Sequence, residues 1–215
     1  MNTINKFGIA SLACALSMGT AQATLITFDD QGFTALQDVT TQYASEGVTF
    51  SGVTDGGTTV NIEAANNGLF GDVNPYSPPI SLSNFYGGSA GNRAHIMQID
   101  FTSAASDVSF YYNPAGSSGV NTVFNVYDTA HNLLSSTSDP NASGDGVWYL
   151  ETFNDANIGE VDIVSPIPGW GHYIDNLQFT SAAVPEASTT SAGIAGLGLA
   201  GFALLRRRPP VAGKR

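Results

Sequence analysis

The run Tyr173-Ile174-Asp175-Asn176-Leu177-Gln178-Phe179 decides the fold class. Tyr173, Leu177 and Phe179 share one parity, the two-residue period of a strand that lays one face on a core. Asp175 falls in the same set, so a carboxylate is expected on the core side, where it needs partners. Runs of the same kind recur toward the N-terminus. His95 to Phe101 sets Met97, Ile99 and Phe101 on one face, and Val108 to Tyr112 sets Val108, Phe110 and Tyr112 together. Val120 to Tyr127 does so with Val120, Phe124 and Val126. Leu133 to Ser136, Val147 to Phe153 and Glu160 to Val164 add three more strands, and Leu25 to Phe28 and Val48 to Ser51 come first. Clusters of Gly, Asn, Asp, Ser and Pro separate the runs, and Asp128-Thr129-Ala130-His131-Asn132 reads as a hairpin turn. No long helical periodicity occurs between Thr24 and Ser181. Thr54 to Ala90 is rich in Gly and Asn and is expected to form long loops with one or two short edge strands. The pattern predicts an all-β, two-layer antiparallel β-sandwich over residues 24–183.

Charge is distributed unevenly. The basic residues are Lys6, Arg93, Arg206, Arg207, Arg208, Lys214 and Arg215, so Arg93 is the only one between the two ends. Every Asp and Glu falls between Asp29 and Glu186. So acidic a surface repels nucleic-acid phosphates and anionic lipid, which excludes nucleic acid as a partner. With one Arg, salt-bridge networks cannot hold the domain; apolar burial and backbone hydrogen bonds must. Cys14 is the only cysteine and lies in the N-terminal apolar run. A disulfide framework, a thiolate zinc site and a cysteine nucleophile are therefore excluded from the domain.

The first 23 residues have the three parts of a signal peptide. Lys6 is the positive start, Phe7 to Met18 is an apolar run too short to span a bilayer, and Ala21-Gln22-Ala23 is the small-x-small pattern a signal peptidase needs. Cleavage is expected after Ala23. The other end, residues 184–215, has its own order of parts. Val184-Pro185-Glu186-Ala187 comes first, then an uncharged, Gly- and Ala-rich stretch, then Arg206-Arg207-Arg208. A transmembrane helix over about residues 190–205 is expected, short for a bilayer whose hydrocarbon is about 30 Å thick. The arginines act as a stop-transfer signal and stay on the cytoplasmic side, which leaves the domain on the outer face of the inner membrane.

This tail resembles the PEP-CTERM sorting signal: a Pro-Glu-Pro motif, a short membrane helix and a terminal Arg cluster. Pro185 and Glu186 match the motif, and Ala187 stands where the family usually has Pro. The resemblance implies processing near the motif by an exosortase, a membrane peptidase, and then a place in the cell envelope or outside the cell. Ile26-Thr27-Phe28-Asp29, Gly47-Val48-Thr49-Phe50 and the closing run at Tyr173 resemble the jelly-roll-like domains common in such proteins. The closing run also resembles the last strand of several carbohydrate-binding modules.

In a jelly roll the first and last strands commonly pair antiparallel, which would bring Asp29 and Asp30 toward Asp175. Three carboxylates with so little positive charge at hand suggest a structural calcium ion; the alternative is that Asp175 takes backbone amides and that Asp29 and Asp30 are solvated. Asp139-Pro140-Asn141-Ala142-Ser143-Gly144-Asp145 echoes the start of an EF-hand loop, but Glu151 falls one residue past the closing ligand position, and the loop reads as a surface turn. His95, His131 and His172 share no metal-binding spacing, and no nucleophile elbow, zinc-protease helix or phosphate loop occurs. Trp170, flanked by Gly169 and Gly171, either stacks on a sugar ring or plugs an end of the sandwich; Tyr76, Phe85 and Tyr86 are further loop aromatics. The expectation is an exported, non-catalytic envelope or extracellular-matrix protein. The alternatives are a surface module binding polysaccharide and a secreted hydrolase.

Overall fold

One strand, β8 (Ile96–Ala115), organises the molecule. The computed structural model describes residues 21–66, 74–115, 121–139, 146–165, 167 and 169–182. The remaining strands are β1 (Gln22–Ile26), β2 (Val48–Val53), β3 (Thr59–Val60), β4 (Glu63–Asn66), β5 (Ile80–Ser83), β6 (Phe85–Tyr86), β7 (Ser89–Arg93), β9 (Thr122–Asp128), β10 (Leu133–Asp139), β11 (Tyr149–Phe153), β12 (Ile158–Val164) and β13 (Gly171–Ser181). Among the described residues no helix is long and apolar enough to cross a membrane; a 3-10 turn, Ala44–Glu46, is the helical element. The expected transmembrane helix, Val184 to Ala187, Arg206 to Arg208 and the signal peptide up to residue 20 lie outside the described residues.

The first half of β8 pairs with β12 and β2, and the second half with β13 and β11. Asp107, at a φ of 50°, marks the change between them. The two periodic runs expected as separate strands are thus one strand that serves both layers. One layer runs β10-β9-β12-β8-β2, with β3 on β2; the other runs β11-β8-β13-β5-β4, with β1 on β13. All the main pairings are antiparallel, as the sandwich predicts. Phe50, Ile99, Phe124, Val126, Val161 and Ile163 of one layer share a single buried core with Val108, Phe110, Tyr112, Ile174, Leu177 and Phe179 of the other. Edge-to-face ring pairs run through it, Phe28 with Tyr43 and Tyr112 with Phe124 among them.

The hairpin at Asp128–Asn132 forms as expected. Asp128 Oδ1 accepts the backbone N–H groups of Ala130 and Asn132 at 2.9 and 2.8 Å, and His131 takes a left-handed φ of 60°. The first and last strands pair antiparallel, Ala23 with Thr180 and Ile26 with Leu177. β1 begins at Gln22, inside the small-x-small pattern of the expected cleavage site.

Two expectations need correction. Thr54 to Ala90 holds more than edge strands: β5 joins β13 to β4 inside the second layer, and all of Ile80, Ser81, Leu82 and Ser83 are buried. Ile80 and Leu82 do alternate with Ser81 and Ser83, but the run is only four residues long and its serines, which read as an exposed edge, are covered as well. The second correction is the facing of Asp175. Asn176 sits at a φ of 50°, and the register of β13 on β8 shifts between Asp175 and Gln178. A bulge of this kind reverses the parity of the residues beyond it. Ile174, Leu177 and Phe179 therefore face the central core, while Tyr173 and Asp175 face the other way. Asp175 is still fully buried, beneath a second layer of side chains.

Candidate functional site

The outward face of the β11-β8-β13-β5-β4 layer carries a row of aromatic rings. Tyr111 alternates with the core residues Phe110 and Tyr112, so it points out of the sandwich. Asp175 lies opposite it on β13 and Leu150 opposite it on β11, which places all three on one face. Tyr76, from the loop before β5, stacks on Tyr111 with ring centroids 3.5 Å apart and planes 14° from parallel. Trp148 meets Tyr76 edge-on at 6.2 Å. The Trp148 indole N–H donates to the Asn74 carbonyl at 2.9 Å, which fixes its ring plane. Tyr76, Val147 and Leu150 are 44%, 42% and 58% exposed, so the row opens to solvent as an apolar patch.

Two carboxylates, buried Asp175 and half-buried Asp29, hold the loop that presents Tyr76. Asp175 accepts the Ser77 N–H at 2.8 Å, the Ser77 hydroxyl at 2.9 Å and the Asn176 N–H at 2.8 Å. Asp29 accepts the Ile80 N–H at 2.9 Å. Burial pushes the Asp175 carboxyl up to about 6 against the pull of its donors, and the nearby Asp29 charge adds to the rise. Asp30 turns elsewhere and accepts the Tyr43 hydroxyl at 2.7 Å. The three carboxylates proposed for calcium thus each take protein donors. Among the described residues no three His, Cys, Asp or Glu side chains group to hold a metal ion.

Beside the ring row, Ala65, Phe85 and Tyr173 form a small second cluster against which Leu36 and Trp148 pack. Phe85 and Tyr173 meet edge-to-face at 5.6 Å. Trp170 enters β13 half-buried; its carbonyl accepts the Asn84 amide at 2.8 Å, while Gly169 takes the Arg93 guanidinium at 2.6 Å. The exposed ring row is built by Tyr76, Tyr111 and Trp148, and Tyr76 alone belonged to the aromatics singled out in the sequence. Tyr111 carried an unread signal: an aromatic on the outward parity of a core strand.

The opposite layer shows a polar face. Gln98 donates to Glu160 and to Asp162, at 3.0 Å each, and the His131 ring pairs with Glu160 at 3.2 Å. Burial, with Glu160 alongside, pushes Asp162 up to about 7. Asp100, Asp128, His131 and Glu160 line a shallow pocket there. Asp139 ends β10 almost buried, and the rest of its loop, residues 140–145, lies outside the described residues. Burial, with Asp139 nearby, pushes Glu151 up to about 7. His172 is buried beside Tyr112, whose hydroxyl lies 3.0 Å from its Nδ1, and burial holds the ring neutral with a value near 3.

The PEP-CTERM protein-sorting motif is matched over residues 183–208. The chain carries a PEP-CTERM sorting signal. It is therefore an exported protein, and the signal implies processing by an exosortase. No curated protein matches this PEP-CTERM chain. Among solved structures, the K2 cleaved adhesin domain of Lys-gingipain aligns with a TM-score of 0.50 at 12% identity, over 74% of this chain and 99% of its own. That likeness is one of fold and agrees with the β-sandwich. The K1 adhesin domain of Lys-gingipain from Porphyromonas gingivalis W83 aligns at 0.46 with 9% identity, over 74% and 98%. The CBM22-1 xylan-binding domain from Paenibacillus barcinonensis aligns at 0.39 with 13% identity, over 79% and 99%.

Proposed function

We propose that this PEP-CTERM protein is a non-catalytic polysaccharide-binding protein of the cell envelope or extracellular matrix. The supporting observation is the exposed ring row of Tyr76, Tyr111 and Trp148 on one face of the sheet. Flat rings held by the Tyr76–Tyr111 stack and, at Trp148, by the hydrogen bond to Asn74 suit the apolar faces of sugar rings, and they lose little side-chain entropy on binding. The acidic surface around them disfavours nucleic acid and anionic lipid as competing ligands. In this reading signal peptidase removes the first 23 residues, the tail holds the protein in the inner membrane with the domain outside, and an exosortase then acts near Pro185-Glu186. A structural calcium ion at Asp29, Asp30 and Asp175 is the competing reading of those carboxylates, disfavoured by the protein donors each accepts, and it has a melting test of its own.

Binding of the purified protein to an array of soluble polysaccharides tests the reading. At least one polymer is expected to bind, and Tyr76→Ala and Trp148→Ala are each expected to weaken it about tenfold or more, roughly the loss of one good contact. Binding that survives both changes would remove this face from consideration. Turnover of a glycan or ester, abolished by changing one Asp or Glu, would establish the hydrolase instead.

A further inference from the structure

Two asparagines of the domain, Asn84 and Asn113, are completely buried, and they differ in one respect. Asn84 spends its whole amide on the fold: its Nδ2 donates to the Ala94 and Trp170 carbonyls at 2.7 and 2.8 Å, and its Oδ1 accepts the His172 N–H at 2.9 Å. Asn113 has no hydrogen-bond partner for either Oδ1 or Nδ2. An unmade buried hydrogen bond costs about 1–3 kcal/mol, so an amide left wholly unpaired calls for a reason outside the fold.

Its position supplies one. Asn113 alternates with the core residue Tyr112 and therefore shares the outward face with Tyr111. Across the sheet the register runs Glu63 to Ser83, Ser83 to Tyr173 and Tyr173 to Asn113, a single transverse row on that face. Tyr149 pairs with Tyr112, so Trp148 is next in register beyond Asn113. The far end of the row also keeps free capacity: Glu63 Oε1 accepts the Gly88 N–H, while Oε2, buried as well, has no partner. Unsatisfied polar atoms thus lie at both ends of this transverse row, and the Asn113 end adjoins Trp148 of the exposed rings.

We propose that Asn113 is a specificity-determining residue of the polysaccharide site, and that it selects neutral sugars carrying two adjacent free hydroxyls. The inference rests on the polysaccharide reading of the ring face. An amide offers one acceptor and one donor side by side, and adjacent hydroxyls offer the complement, each able to donate and accept. A uronate carboxylate offers acceptors alone, would set an oxygen against Oδ1, and finds no spare cation: Arg93, the sole Lys or Arg of the domain, is engaged by the Gly169 carbonyl and lies over the Phe85 ring. Asn113 is fully buried, so contact with its amide requires the side chains that cover it to adjust on binding, as interface rotamers commonly do.

The full chain is tested by affinity electrophoresis against a neutral β-glucan, a mannan and a galactan, with polygalacturonate as the acidic counterpart. The wild type is expected to bind a neutral polymer and leave polygalacturonate unbound. Asn113→Leu is expected to melt no lower than the wild type, since it removes only unpaired polar atoms, yet to weaken binding about tenfold or more. A smaller variant, Asn113→Ala, should show the same loss of binding. If both variants bind within twofold of the wild type while Tyr76→Ala does not, the ring face stands and the role of Asn113 is overturned. Equal binding of polygalacturonate overturns the choice of neutral sugars, and a lower melting point for Asn113→Leu assigns the amide to the fold. A wild type that binds none of the four polymers removes the polysaccharide reading and this inference with it.

Discussion

Asp175 holds Ser77 by both of its donors, the backbone N–H at 2.8 Å and the hydroxyl at 2.9 Å. The neighbouring Tyr76 is the most solvent-exposed ring of the aromatic row, so a buried carboxylate fixes the position of an exposed binding surface. Asp175→Ala leaves the Ser77 N–H without its acceptor, a loss of about 1–3 kcal/mol. At roughly 2–4 °C for each kcal/mol in a domain of this size, the melting point should fall by several degrees. Polysaccharide affinity should fall with it. Asp175→Asn, which keeps an acceptor oxygen, should lose less of both.

Stability should rise as the medium becomes mildly acidic. Asp175, Glu151 and Asp162 have folded values raised to about 6, 7 and 7 by burial. Between their unfolded values near 4 and these folded values the native state holds more protons than the unfolded one, so stability declines as pH rises through that window. His172, lowered to about 3, acts oppositely: its share is complete above about 6.5 and is lost as pH falls toward 3. Three carboxylates outweigh one imidazole. Melting scans at pH 5 and pH 8 should place the higher midpoint at pH 5; a higher midpoint at pH 8 would refute the balance.

Calcium has a simple test. With protein donors on Asp29, Asp30 and Asp175, melting curves in calcium and in chelator should coincide. A cation bound to the native state at a hundredfold excess would instead add about 2.7 kcal/mol, and chelator would lower the midpoint by several degrees. Such a drop, abolished by Asp175→Asn, would restore the ion.

Gly159→Ala should destabilise the domain by about 1–3 kcal/mol through overpacking. A Cβ there would lie 2.7 Å from the Asp128 carbonyl oxygen and from the Thr129 N and Cα atoms. These are backbone atoms of the β9–β10 hairpin, which cannot turn aside as a side chain can. Denaturant unfolding of the variant measures the cost.

Intact-mass measurement in a host with an exosortase should find a chain that starts at Thr24 and ends near Pro185 or Glu186. Retention of Arg206 to Arg208 would mean an uncut tail anchor.

The sandwich was legible wherever one face of a strand is buried and the other is not. Met97, Ile99 and Phe101 alternate with Gln98 and Asp100, and all three are in the core. Legibility failed where that asymmetry fails. β5 is covered on both faces; its Ile80 and Leu82 keep the period of two, but serines at Ser81 and Ser83 read as an exposed side over only four residues. Asp175 was correctly read as buried, but one residue at positive φ reversed its face, and a count of two cannot see a bulge. The candidate site suffered most. Tyr76, Tyr111 and Trp148 come from a loop, from β8 and from the residue just before β11, and only the folded sheet, with Leu150 paired to Tyr111, brings them together. The missing partners of Asn113 belong to packing and have no signature in one dimension.

β13 has a mechanical consequence. Its N-terminal half carries Tyr173 and Asp175 beneath the ring face, and its C-terminal half, ending at Ser181, leads toward the sorting tail. A load between a ligand held at that face and an attachment beyond Ser181 therefore runs along the strand axis. Hydrogen bonds to β8 and to β1 lie across that axis and would be strained together, in shear, rather than unzipped one at a time. Because forced unfolding is set by the rate of crossing the barrier, the response to such a load is governed by this shear geometry rather than by equilibrium stability.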